Sequence, residues 1–278
     1  SDLHAGAQTA PIPKNFVTES GQEIGPNSAQ KELNEAYTGL AEDPKWHRPD
    51  ILISLAEAID GQNRKSAGVE AWSTQPLDQV KAAQQLLEMF HAKVYYVLQG
   101  SDYHVSINGL PAEEVLARNL NAVPMGEGTY RSAMRIMIEA FGFRIHFAHH
   151  IPTSQSDWYL TTPLAKEGIR IKLKEKQLGH IDAIVRGHSH QWLAAEFKSQ
   201  YLISCPAWKL PDAFLFKKGG EPNYDIGAIR FAIFEEPDEF GERFRKQKML
   251  FPIKSANPKL SKPIDILKSE YFHPEAKA

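Results

Sequence analysis

The chain has 278 residues, of which 42% are hydrophobic and 24% charged, with a formal net charge of −2 at neutral pH. That apolar fraction excludes a disordered chain, and the near-neutral balance supplies no broad basic field of the kind nucleic-acid binders carry. No apolar run reaches the roughly 18 residues of a membrane span, and the single cysteine, Cys205, excludes an internal disulfide framework, so the cytoplasm is the expected compartment.

In chain order, Asp2-Leu3-His4 comes first, a carboxylate and an imidazole with one residue between them. The strand expected before Asp2, and any targeting segment, would lie upstream of this sequence. Residues 5–50 are polar and rich in Pro, Gly, Asn and Glu, with a helical candidate over Gln30–Tyr37. Ile51–Leu55 reads as an apolar strand that closes on Glu57, Asp60 and Gly61. Arg64 and Lys65 follow that loop, either to meet a phosphate or as a solvated charge pair. Leu77–His91 carries Leu77, Val80, Ala83, Leu86, Leu87 and Phe90 at helical spacing. Val94–Leu98 is the next apolar strand and runs into Gly100-Ser101-Asp102-Tyr103-His104. Glu113–Ala117 and Ala133–Phe141 are expected as helices around a glycine-rich loop at Gly126–Gly128. Phe143–Ala148 reads as a strand ending in His149-His150-Ile151-Pro152, and Thr162–Leu178 as an amphipathic helix. Ile181–Val185 is a short buried strand, after which Gly187 lets the chain turn into His188-Ser189-His190. Beyond His190, Trp192–Phe197, Tyr201–Ser204, Ile226–Phe234 and Lys246–Phe251 read as short strands of a second sheet packed on the first. The Pro- and Lys-rich tail from about residue 252 is expected to be loosely held.

This pattern suits a single α/β domain over residues 1–278. Strands, or strand ends, repeatedly terminate in Asp, Glu or His, at the carboxyl edge where ligands of open α/β sheets collect. Neutral imidazoles favour zinc, iron and similar ions, while carboxylates add hard oxygen ligands and can bridge two ions.

The order Asp-x-His, acidic-x-x-Asp-Gly, Gly-x-x-x-His, His-His-x-Pro and Gly-His-x-His resembles that of the calcineurin-like metallophosphoesterases, over residues 2–190. The resemblance implies a four-layer αββα sandwich of two packed mixed sheets flanked by helices. It also implies hydrolysis of a phosphomonoester or phosphodiester, on a small molecule or a nucleic acid, with no membrane partner. By the same resemblance, Asp2, His4 and His190 are ligands of one divalent ion, His149 and His188 of a second, and Glu57 stands where the family places the bridging carboxylate. The two ions would be Mn, Fe, Zn or Ni; they would acidify a water nucleophile and clamp the phosphoryl oxygens.

The chain also departs from the family's usual residues. Ala56-Glu57 replaces Gly-Asp, which keeps the charge and adds a methylene. Gly100-Ser101-Asp102-Tyr103-His104 replaces Gly-Asn-His-(Asp/Glu), so the usual catalytic imidazole is displaced. His104 is then the expected proton donor to the leaving group, with His150 next, and Ser101 and Asp102 are further metal or substrate contacts. His146 reads as a packed or supporting histidine. The alternative function is a non-catalytic metal-binding module that kept the fold and acts in nucleic-acid or protein binding.

Overall fold

The computed structural model describes residues 1–62, 67–101, 106–107, 110–152, 159–197, 200–212, 224–237, 239 and 241–253. β1 (Phe16–Val17) and β2 (Glu23–Ile24) form a small antiparallel ladder ahead of α1 (Ser28–Glu42). Asn27 caps α1 through a reciprocal pair: its side chain accepts from the Gln30 N–H, and the Gln30 side chain accepts from the Asn27 N–H. The Gln30 amide also donates to the Ala7 and Ala10 carbonyls at 3.3 and 2.9 Å, which ties the helix start to the first motif's segment.

The chain then alternates strand and helix: β3 (Ile51–Ser54), α2 (Pro76–Glu88), β4 (Val94–Leu98), a short β5 (Ser106–Ile107) and β6 (Leu110–Pro111) ladder, α3 (Ala112–Asn119) and β7 (Ser132–Ala133). β3, β4 and β7 pair in that order as a parallel sheet. β8 (Arg135–Ala140), β9 (Phe143–Ala148), α4 (Thr162–Leu173), α5 (Glu175–Leu178), β10 (Ala183–Arg186), β11 (Leu193–Phe197) and β12 (Gln200–Ser204) follow. Their strands form a second, five-stranded sheet in the order β11-β12-β10-β9-β8. β13 (Gly227–Ile233) and β14 (Phe244–Leu250) pair antiparallel.

The layers follow from where alternate side chains go. In β3 and β4, Leu52, Tyr95 and Val97 pack with Leu33, Tyr37 and Leu40 of α1, Val80 and Leu86 of α2, and Leu116 of α3. Ile53, Tyr96 and Leu98 instead face Ile145, Phe147, Val185 and Ile203 of the second sheet, with Phe231 and Phe244 of the β13–β14 pair. On that sheet's far side, Ile184 and Leu202 pack on Leu164 and Ile171 of α4. Helices, sheet, sheet, helix is the resulting order, and parallel strands buried on both faces read as unbroken apolar runs for this reason.

Two expectations are corrected. Ala133–Phe141 is not a helix: its apolar residues Ile136 and Ile138 alternate with Arg135 and Glu139 in β8. Phe141 and Gly142, at φ +49° and +77°, form the tight two-residue turn into β9. Of the strands after His190, only β13 and β14 stand apart as a two-stranded sheet, while β11 and β12 join β8–β10. β12 pairs in parallel with β10 from Ala183↔Tyr201 to Arg186↔Ser204, because both strands are almost wholly buried and belong at a sheet's centre. The tail from residue 254 lies outside the described residues.

Candidate metal centre

Every motif predicted from the sequence that falls within the described residues arrives at one edge of the two sheets. Ala56–Ile59 follow β3, Gly100 and Ser101 follow β4, His149 and His150 follow β9, and His188 and His190 follow β10. The first motif runs alongside the segment after β3: the N–H groups of Asp2, His4 and Ala5 donate to the carbonyls of Ala56, Glu57 and Ala58 at 3.2, 2.9 and 3.0 Å. From the other side, the Trp208 N–H donates to the Asp2 carbonyl at 3.0 Å. The loop after Glu57 is clamped by buried Gln79 of α2, which accepts from the Gly61 N–H and donates to the Gly61 carbonyl, each at 2.8 Å.

The backbone here is unusual. Of the 12 non-glycine described residues with positive φ, six are Asp2, His4, Ala56, Glu57, His188 and His190, at +47° to +69°. A left-handed residue with a side chain costs on the order of 1–3 kcal/mol and persists only where the surroundings hold it, which happens most at functional sites. Two glycines make room. A Cβ on Gly100 would lie 2.9 Å from the Glu57 carboxyl carbon, and one on Gly187 would lie 2.9 Å from both Asp2 Oδ2 and His149 Nδ1. Gly187 is therefore required for close approach at the turn into His188.

Asp2, Glu57, His4, His149 and His190 are buried, and His188 is half-buried. Asp2, His4 and His190 each offer a ligand atom within 4.8 Å of the other two. Asp2 Oδ1 faces His190 Nε2 at 3.3 Å and His149 Nε2 at 3.8 Å but makes no hydrogen bond. Asp2 Oδ2 accepts from the Ser1 hydroxyl and, at 3.2 Å, from the His188 N–H. Glu57 Oε1 accepts from the Ser101 N–H and hydroxyl, both at 2.8 Å, and lies 3.5 Å from His149 Nε2; Oε2 is buried with no hydrogen-bond partner. The His188 ring lies 5.3 Å from that of His149 and 4.4 Å from that of exposed His150.

Proton bookkeeping is decisive for what this cluster can do. The His149 Nδ1–H is directed at the Leu55 carbonyl, 3.1 Å away, so in the neutral ring it is Nε2 that carries the lone pair. That lone pair confronts carboxylate oxygens of Asp2 and Glu57. Such an arrangement is relieved by a proton or by a metal ion among the donors, and imidazole nitrogen with carboxylate oxygen is the donor set a divalent transition ion takes. His4 follows the same logic: its Nδ1–H donates to Asp60 Oδ1 at 3.0 Å, which leaves Nε2 as the ligand atom.

The charges are tuned accordingly. Burial alone would push the Asp2 carboxyl up, but His149, His190 and His4 hold it well below the usual carboxylate range. Burial, aided by His149 and His150, pulls His188 down to about 4, so it stays neutral and able to ligate at pH 7. Asp60 is also held below the usual range, against its burial, by His4 and Lys209.

Asp102, His104 and Arg64 lie outside the described residues. Ser101 directs both of its donors at Glu57, and His150 stands at the exposed rim beside His188. His146 is packed within β9, three residues before His149. Sequence reasoning missed Lys209 and Glu113. Lys209 sits in Trp208-Lys209-Leu210, where a cation between two buried apolar residues was the available signal. Glu113 is fully buried in α3; burial and the nearby Glu57 charge push its carboxyl well above the usual range.

No family model and no curated protein matches this chain. Solved structures do. Vps29 of Entamoeba histolytica, complexed with zinc, is 13% identical at a TM-score of 0.41, covering 90% of this chain and 96% of that one. A predicted phosphoesterase of Streptococcus pneumoniae is 8% identical at 0.33, covering 80% and 93%. A novel archaeal phosphodiesterase is 13% identical at 0.30, covering 72% and 99%. At such values the likeness is one of general α/β arrangement, and the chemistry has to be read from the chain's own residues.

Proposed function

We propose that this chain is a metal-dependent phosphoesterase of the calcineurin-like kind, acting on a phosphomonoester or phosphodiester. Asp2, His4 and His190 would hold one divalent ion, His149 and His188 a second, and Glu57 would bridge them. Bound there, divalent ions supply a water of lowered pKa and positive charge for the phosphoryl oxygens. The protein's own part is to keep donor atoms in place and free of protons. Asp60 and the Leu55 carbonyl fix the tautomers of His4 and His149. Ser101 fixes one oxygen of Glu57 and leaves the other available. His150 at the rim and His104 are the imidazoles proposed to protonate the leaving group. The substrate would be a small-molecule or nucleic-acid phosphoester met in the cytoplasm, and among the described residues no helix is long and apolar enough to cross a membrane.

The observation that carries this reading is the buried convergence of Asp2, Glu57 and His149, where Asp2 Oδ1, Glu57 Oε2 and His149 Nε2 have no hydrogen-bond partner. The test is metal content together with turnover of a chromogenic phosphodiester. We expect about two equivalents of Mn, Fe, Zn or Ni, and hydrolysis that chelator removes and metal restores. Protein that neither contains metal nor takes up manganese would overturn the reading. A second reading, a metal-stabilised binding module without turnover, is favoured by Ser101: it replaces the family's asparagine and directs both its donors at Glu57. Metal uptake that raises the melting temperature without hydrolysis would select it.

A further inference from the structure

Behind His4 lies a charged layer that the proposed reaction does not itself require. Asp60 Oδ1 accepts from His4 Nδ1–H and from Lys209 Nζ, each at 3.0 Å, and Lys209 reaches Asp212 Oδ2 at 3.4 Å. The resulting chain runs imidazole, anion, cation, anion. Asp60 is fully buried and Lys209 is 6% exposed, so both charges are desolvated and each depends on its partners. The same short segment carries the Trp208 N–H to the Asp2 carbonyl. His149, by contrast, rests its Nδ1 on a neutral backbone carbonyl.

We propose that Lys209 is a positioning residue for the Asp2–His4–His190 half of the metal centre, an inference that rests on the metal-binding reading above. An Asp60 carboxylate alone beside His4 would add a third negative charge to a pocket that already holds Asp2 and Glu57. The Lys209 ammonium lies 3.0 Å from the same Oδ1 that faces His4 Nδ1, so it fixes that oxygen and, through it, holds the ring with Nδ1 turned to Asp60 and Nε2 left for the ion. Lys209 is not one of the proposed donors and would act through Asp60 and His4. Groups that orient a ligating histidine typically change metal affinity by roughly 10–100-fold when removed.

The experiment titrates the full chain with manganese and zinc by calorimetry, on backgrounds that isolate each half. With His188→Ala, which leaves the Asp2–His4–His190 donors, Lys209→Met should weaken binding by roughly 10–100-fold and Lys209→Arg should restore most of it. With His190→Ala, which leaves the other donors, Lys209→Met should change nothing. Nitrogen-15 imidazole spectra of metal-free protein give an independent readout: the His4 Nδ1–H signal should persist in Lys209→Arg and be lost in Lys209→Met. Should Lys209→Met fail to fold, the Asp60→Asn/Lys209→Met pair removes both buried charges and keeps an acceptor for His4. On Asp60→Asn, the lysine change should then add no further loss, as groups in one network are non-additive. Equal weakening of both halves, or an unchanged affinity with the His4 signal intact, would overturn the proposal. Absence of metal binding in the unmodified chain would instead sink the functional reading, while the spectra would still decide whether Lys209 orders His4.

Discussion

The two halves of the proposed centre are built from the same residue types and supported in different ways. Asp2, His4 and His190 are all buried, and His4 is backed by the Asp60–Lys209 ion pair. Glu57, His149 and His188 lean on neutral groups, the Leu55 carbonyl and Ser101, and end at exposed His150. Rigid, charge-backed ligands favour a tightly held ion. Ligands that open on the rim favour one that exchanges and meets substrate. Asp2 belongs to both halves, since its Oδ1 faces His190 and His149 while its Oδ2 accepts from the His188 backbone.

That contrast is broken or sharpened first by ligand removal. Asp2→Ala should abolish binding at both halves and cut turnover by more than about 100-fold, beyond what loss of an outer partner costs. His188→Ala should retain one equivalent of metal with the fold intact and activity lost. Elemental analysis of the two variants decides: loss of both ions in His188→Ala would mean that the halves are one cooperative unit.

Glu57 tests the bridge between them. Glu57→Gln removes the shared charge and should lower occupancy of the second ion and turnover by roughly 10–100-fold. Glu57→Asp keeps the charge, one methylene shorter, and should preserve part of the activity. Wild-type turnover in Glu57→Gln would remove the bridging role.

The smallest effect separates the centre from the strand that carries it. His146, in β9, is pulled from its ordinary 6.5 to about 4, chiefly by burial and then by the Arg186 charge. A histidine whose folded pKa is depressed is neutral in both states above about 6.5. As pH falls from there towards 4, the unfolded chain takes the proton first and stability is lost. His146→Phe should remove about 1–2 kcal/mol of that acid loss, discounted for solvent screening. Denaturant midpoints at pH 7 and pH 4.5 measure it in metal-free protein. An unchanged acid loss in the variant would assign the loss to the centre's own histidines.

Much of this was legible in the residues. Apolar runs at Ile51–Leu55, Val94–Leu98, Phe143–Ala148 and Ile181–Val185 became β3, β4, β9 and β10 within about a residue at most boundaries, because short, mostly apolar runs rich in β-branched and aromatic residues suit sheet strands. Ala133–Phe141 was misread because its two polar residues, Arg135 and Glu139, stand four apart as on one helix face, while the hairpin turn at Phe141-Gly142 was the signal that mattered. Lys209 was illegible for another reason. A lysine is ordinarily a surface residue, and nothing local says that this one ends beside Asp60, 149 positions earlier in the chain.

The sequence by itself determined the chemistry on offer: which strands end in carboxylates and imidazoles, and in what order, since periodicity and residue type are local properties. Only the tertiary structure decided which donors meet, which sheet each strand joins and which imidazole nitrogen is left without a proton. Those outcomes depend on partners distant in sequence, such as Leu55 for His149 and Asp60 for His4. A hydrogen bond assigns a tautomer only once packing has brought its two ends together.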